Sequence, residues 1–252
     1  MNVRLRHIEE SDKDSYIELE KETWVGDGLL EGENNADQVW TGIFMKTEIT
    51  YTILANAEIS GFCTIKHIDQ DEKEIAIEIF TRFRHQGIGY QALKLLMEIC
   101  EKEYHMKSVK SKVYPDNYPS ILLMRKLGAM PYGIERNAAV EEQFEKEFQD
   151  NNRELLSENL FKVANVFQVD KEKLLSKVLC FKIELPIREI QFDLVLDGDV
   201  NYKKEIETKA IQFMYRRMKN SLETILATCS DGKENLNEEI QKLITKYEIA
   251  LK

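Results

Sequence analysis

Thr81-Arg82-Phe83-Arg84-His85-Gln86-Gly87-Ile88-Gly89-Tyr90 decides how the rest of the chain is read. Before it, Glu74-Ile75-Ala76-Ile77-Glu78-Ile79-Phe80 alternates with period two, the pattern of a strand. After it, Gln86 to Tyr104 places Ile88, Ala92, Leu95, Leu96, Ile99 and Cys100 along one helical side. Arg84-x-x-Gly87-x-Gly89 therefore falls at a strand-to-helix turn. A helix start presents backbone N–H groups without intrahelical partners, and its dipole favours negative charge. Glycines let that backbone approach a bulky phosphate, and Arg82 and Arg84 add charge-assisted donors. The alternative is an ordinary glycine-containing turn before a helix. The stretch lacks the Gly-Lys-Ser/Thr ending of a P-loop and the Gly-x-Gly-x-x-Gly of a dinucleotide fingerprint.

The 252 residues carry a net charge of −10, which disfavours wholesale binding to nucleic acid or an anionic membrane. The sequence is charged from Arg4 onward, unlike a secretory signal, and no apolar run approaches a membrane span. Cys63, Cys100, Cys180 and Cys229 are far apart without metal-ligand spacing, and His7, His67, His85 and His105 are scattered. A cytoplasmic protein with no bound metal is the expectation.

The order of elements follows from periodicity and punctuation. Asn2 to Ile8 reads as a strand, then a helix capped by Ser11 runs to about Thr23. The stretch Trp24 to Asn35 is a loop rich in glycines and carboxylates, either a binding loop or a solvated connector. A helix over 36–46 follows. Strands over 50–55 and 59–68 flank the turn Asn56-Ala57-Glu58. Beyond the central helix come a strand over 108–114, a helix from Asn117 through Leu127 stopped by Gly128, and a strand over 129–135. Residues 137–177 turn helical and charged. Val178 to Leu185 is a strand closed by Pro186, and residues 191–196 are a strand or an extended linker. Two helices, about 202–228 and 235–251, finish the chain. Their apolar stripes fit packing onto the core or pairing in a homodimer.

Arg84-His85-Gln86-Gly87-Ile88-Gly89 resembles the pyrophosphate loop of the GNAT superfamily, the acyl-CoA-dependent N-acyltransferases, which reads Arg/Gln-x-x-Gly-x-Gly/Ala. Asn117-x-x-Ser120 with Leu123-Met124-Arg125-Lys126-Leu127-Gly128-Ala129 resembles that family's Asn-x-x-Ala/Ser-x-x-Leu-Tyr-x-Lys-x-Gly-Phe segment. The resemblance implies an α/β (α+β) fold with a mixed, mostly antiparallel central sheet flanked by helices. Residues 1–186 would form the transferase domain, with 137–177 as a helical insertion and 187–252 as a mainly helical extension.

The same resemblance implies acetyl-CoA as co-substrate and an amine as acceptor, either a small cationic amine or a protein amino group. The backbone of Ile79 and Thr81 would pair with the pantetheine arm. Arg84, His85, Gln86, Gly87, Ile88, Gly89 and Tyr90 would hold the pyrophosphate, and Asn117 with Ser120 would meet the pantetheine. A backbone N–H near Ile79 would polarise the acyl carbonyl. Glu78 is the first candidate for general base, beside an expected strand bulge. It could instead face solvent or pair with Arg82 or Arg84, and Glu74 and Glu22 are weaker candidates. The family's tyrosine acid is replaced by Met124, which cannot donate a proton. Tyr114 or Tyr118 would take that part, or the thiolate would leave unaided. Trp24, Asp27, Glu31 and Glu33 are the candidate acceptor-binding residues. The missing tyrosine and the extra helices leave a non-catalytic acyl-CoA sensor as the alternative reading.

Overall fold

The computed structural model describes residues 2–23, 33–44, 47–188, 190–198, 200–201, 204–228 and 234–251. Its strands are β1 (Val3–His7), β2 (Glu48–Ala55), β3 (Glu58–Lys66), β4 (Glu74–Ile79), β5 (Ser108–Val113), β6 (Met130–Arg136) and β7 (Lys177–Glu184). They form one sheet in the order β1-β2-β3-β4-β5-β7-β6. Every neighbouring pair is antiparallel except β4 and β5, which run parallel. That pair shares a single register point, Glu74 opposite Lys110, and then separates toward its C-terminal ends.

The sheet is covered on both faces. On one lie α3 (Ile88–Lys102) and α4 (Tyr118–Lys126), where Ile88, Ala92, Leu93, Leu96 and Cys100 bury against Ile53, Cys63, Ile65 and Ile75. Each such aliphatic side chain contributes about 1.5–3 kcal/mol on burial. On the other lie α1 (Lys13–Thr23) and α2 (Glu33–Gly42). There Leu19 packs with Phe62 and Phe80, and Ile17 with Trp40 and Ile43. The alternation in β4 explains the division, since Ile75, Ile77 and Ile79 face α3 while Glu78 faces α1.

The inserted segment extends the α3–α4 layer. Its helices are α5 (Glu145–Asn151) and α6 (Glu158–Phe167), the latter capped by Ser157, which accepts from Leu160 N–H at 3.2 Å. Phe148, Leu160, Val163 and Phe167 join the main core, and Phe167 meets Phe181 of β7 edge-on at 5.2 Å.

After Pro186 the chain runs extended without joining the sheet. It buries Phe192 and Leu194, and Arg125 Nε donates to the Phe192 carbonyl at 2.7 Å. Asn159 exchanges two 2.8 Å hydrogen bonds with the Asp197 backbone. Then come α7 (Glu205–Thr228) and α8 (Glu234–Ala250), joined by a Tyr215–Tyr247 stack at 5.5 Å and Lys219–Glu248 at 2.8 Å. Ile206 and Ala210 reach the main core, while Met218, Ile225, Leu243 and Ile249 stay exposed. Among the described residues no helix is long and apolar enough to cross a membrane.

Several local expectations need correction. Ser11 is not the cap before α1; the Asp12 carboxylate accepts from Glu9 N–H at 3.0 Å and also holds Arg6 and Thr52. The second helix begins at Glu33 rather than at residue 36, and ends at Gly42. Asn56 and Ala57 both adopt positive φ, 50° and 71°, which makes a two-residue hairpin turn and leaves Glu58 to β3. Register shifts lie in β2–β3 at Ile53/Leu54 and in β6–β7 at Pro131/Gly133, whereas β3–β4 runs unbroken past Glu78.

Gly128 ends α4 with φ +75°, and a Cβ there would stand 1.8 Å from the Arg188 carbonyl. Gly128→Ala should destabilise the protein by more than about 2 kcal/mol, because left-handed strain adds to displacement of the extended segment. Urea denaturation of the two proteins measures the difference.

Candidate active site

The strand-to-helix turn passes through left-handed backbone at two residues, His85 with φ 59° and Gly87. Gly87 has φ +77° and caps α3, and a Cβ added there would meet nothing within 4 Å. Glycine is required for conformation, and the space in front of it is open. His85, Gln86 and Gly87 are exposed, and the first amides of α3 point into the same region. A Cβ at Gly89 would make ordinary contact with Leu123 of α4 at 3.6 Å, so α3 and α4 lie close at this point. Lys126 of α4 sits over the Tyr90 ring at 4.3 Å and brings a cation to this helix start. Arg82 does not, because its guanidinium lies over Phe80 at 4.2 Å and Phe83 at 5.0 Å, and 3.6 Å from Glu18.

Both backbone groups assigned to the pantetheine arm already have side-chain partners. Arg84 Nε donates to the Ile79 carbonyl at 3.0 Å, and Thr81 N–H donates to the Glu22 carboxylate. That bond, together with Arg84 and Arg82 nearby, holds Glu22 below the usual carboxylate range despite the opposing effect of burial, the largest influence on it. Asn117 is likewise engaged: its Oδ1 accepts from Ser120 N–H at 3.2 Å and caps α4.

An acidic pair forms on the other side of β4. Glu78 keeps solvent-accessible surface although protein surrounds much of its carboxylate. Desolvation first, and then the charge of Glu20, push the Glu78 carboxyl up to about 7. Glu20 is itself raised, by burial, against the opposing pull of a Tyr16 hydrogen bond. Thr23 Oγ1 donates to Glu78 at 3.3 Å, and the ammonium groups of Lys66 and Lys204 act on both carboxylates. Gly61 of β3 keeps β4 in place here, since a Cβ at that position would stand 2.1 Å from the Glu78 carbonyl.

Of the hydroxyl candidates, Tyr114 lies at the end of β5, half-buried, with its phenol pushed up to about 12 by burial and by Glu207 and Asp116. The Asn137 amide lies next to it, short of a well-formed hydrogen bond, and its Nδ2 is buried without a partner. Tyr118 is buried with its hydroxyl 2.9 Å from Ser157. Met124 is only 2% exposed and belongs to the main core. Trp24, Asp27 and Glu31 lie outside the described residues, as does the side chain of Glu33. Among the described residues no three His, Cys, Asp or Glu side chains group as metal ligands.

Comparison with known proteins fits this geometry. A family model described as an acetyltransferase (GNAT) domain matches residues 2–130. The chain belongs to the GNAT acetyltransferases. It is accordingly an acyltransferase, and its sheet is the one expected of that family. Similar solved structures include a chimera of Vibrio cholerae spermidine N-acetyltransferase with hSSAT, at 14% identity and TM-score 0.51, covering 73% of this chain and 96% of that one. Spermidine N-acetyltransferase from Vibrio cholerae in complex with CoA and spermine matches at 11% identity and TM-score 0.51, covering 72% and 95%. At such identities the likeness is one of fold. No curated protein matches the sequence.

Glu20, Lys66 and Lys204 were not singled out in the sequence, whereas Lys126 stood at the lysine position of the second family-like segment without a role assigned to it. Because the folded-state Glu78 carboxyl binds its proton more tightly than the ordinary value of 4.5, the folded protein holds a proton that the unfolded chain releases. Stability contributed by this group therefore falls as pH rises from 4.5 through about 7. Glu78→Gln should gain stability relative to wild type between about pH 5 and about pH 8, as thermal melts at the two values will show.

Proposed function

We propose that this GNAT protein transfers an acetyl group from acetyl-CoA to a primary amine by direct attack on the thioester. The observation that carries this reading is the Glu78 carboxyl, raised to about 7 with Glu20 beside it, on the strand that parts from β5. The open, glycine-bearing start of α3 lies at the same end of β4. These residues fit the cofactor: the α3 amides, Arg84 and Lys126 would hold its phosphates. Arg84 and Glu22 would give up the Ile79 carbonyl and the Thr81 amide to its pantetheine arm. Acetyl-CoA supplies an activated acyl carbon and a thiolate leaving group.

The chain's own groups then have distinct parts. Glu78, ionised above about 7, takes the proton from the acceptor ammonium and leaves a neutral nucleophile. A backbone N–H near Ile79 polarises the carbonyl oxygen as the N–C bond forms and the C–S bond breaks. Tyr114, protonated up to about 12, gives a proton to the departing sulfur and is restored by the proton that the nitrogen loses as the amide forms. Residues 1–186 are taken as the transferase domain and 187–252 as an extension that buttresses it. A chain truncated after Pro186 should stay the size of a monomer and melt at lower temperature, which gel filtration and calorimetry will show.

Two measurements test the activity. Acetyl-CoA titrated into wild type should give a saturable heat, and Gly87→Glu, which places a carboxylate before the α3 amides, should abolish it while the fold persists. Thiol release with an accepting amine should rise with pH through about 7 and fall about 100-fold in Glu78→Gln. Heat without thiol release on any amine would overturn the transfer reading.

A further inference from the structure

We propose that Asp116 is a positioning residue of the transfer reaction. By holding the start of α7 it fixes the turn that carries Tyr114, so the C-terminal extension takes part in catalysis and not only in stability. The inference rests on the transferase reading above. Its basis is a buried hydrogen bond, in which the Ile206 N–H donates to Asp116 Oδ2 at 2.9 Å. Asp116 is 7% exposed, and Ile206 and Ala210 are buried in the main core, so the first turn of α7 is fixed rather than trailing. Ile206 lies outside residues 2–130, which the acetyltransferase model matches. The bond therefore joins that domain to a part of the chain beyond it.

Asp116 sits inside a tight turn. Asn117 N–H donates to the Tyr114 carbonyl at 3.0 Å, and Asn117 then caps α4 through Ser120 N–H at 3.2 Å. Tyr114 is thus two residues from the anchored carboxylate, in a turn whose other end is a helix cap. The extension grips α4 again further along. There Arg125 Nε donates to the Phe192 carbonyl at 2.7 Å, and the Arg188 carbonyl lies against Gly128. The turn and the helix after it are therefore held from outside at both ends. Burial pushes the Asp116 carboxyl up to about 6 despite the Ile206 bond. The buried charge costs part of what the bond gains, so the contact adds little net stability. What it adds is a fixed place for the Tyr114 turn.

The test is a double-mutant cycle on the intact chain. Asp116→Leu and Ile206→Pro each remove one side of the bond, since proline is tolerated in a first helical turn and lacks the N–H. Ile206→Val controls for the smaller side chain. Acetyl-CoA binding is measured calorimetrically in every protein, and thiol release is measured with 1,5-diaminopentane, lysine and a lysine-bearing peptide. Asp116→Leu and Ile206→Pro should each lower kcat about tenfold with acetyl-CoA still bound, part of what a general acid supplies. Asp116→Asn, whose amide oxygen still accepts from Ile206, and Ile206→Val should keep the wild-type kcat. In a Tyr114→Phe background Asp116→Leu should cost nothing further, because both act through one proton transfer. A merely structural anchor would lower the melting temperature and leave kcat unchanged, or lower kcat by the same factor with and without the Tyr114 hydroxyl. Either result would overturn the role of Asp116 alone, as would an unchanged kcat in Tyr114→Phe or an Asp116→Asn as slow as Asp116→Leu. Loss of acetyl-CoA binding in both Asp116→Leu and Ile206→Pro would overturn it too, by showing an anchor of the whole domain. Absence of acetyl-CoA binding or of thiol release in wild type would overturn the transferase reading, and this inference with it.

Discussion

The parting of β4 and β5 is the constraint on which the rest of this structure depends. Parallel strands that share one register point cannot satisfy each other's backbone groups beyond it. On β4, the Ile79 carbonyl and the amide of Thr81 just past its end find substitutes in Arg84 and Glu22. Phe80 N–H turns instead to the Ser60 carbonyl at 3.1 Å. β5 ends in a turn, where Asn117 N–H donates to the Tyr114 carbonyl at 3.0 Å and Asn117 then caps α4. The gap persists because the residues that would close it are committed to α1, α3 and α4.

The electrostatics of the site depend on the same gap. Glu78 alternates with the isoleucines of β4, so the packing of Ile75, Ile77 and Ile79 against α3 forces the carboxylate to the opposite face. There α1 stands over it and brings a second carboxylate at Glu20. Burial first, and then the neighbouring Glu20 charge, push the Glu78 carboxyl up to about 7. Gly61 fixes how closely β3 supports this point, since no side chain fits against the Glu78 carbonyl.

Much of this was legible in the sequence, because the signals are local. The alternation of Glu74 to Phe80, the glycine-bearing turn at 87 and the helix start at Asn117 are each set by neighbours within a few residues. Strand Val178 to Leu185 was legible too, but its place between β5 and β6 is a matter of topology. The features that escaped depend on long-range contact. Arg82 belongs to the same loop as Arg84, yet the aromatic rings of Phe80 and Phe83 draw it toward α1. Ile206 lies ninety residues from Asp116 in sequence, and nothing local foretells the bond that seats α7 at the end of β5.

The position of β7 has a consequence for synthesis of the chain. β6 pairs with β7 alone, and β5 pairs with β7 along its whole length. A nascent chain that has emitted β5 and β6 therefore carries two open strand edges with no partner for either. Those edges wait until the helical insertion and then residues 177–184 have been made. The half of the sheet that holds the reactive gap is thus the last to close, and a prematurely ended chain presents sticky edges rather than a partial enzyme.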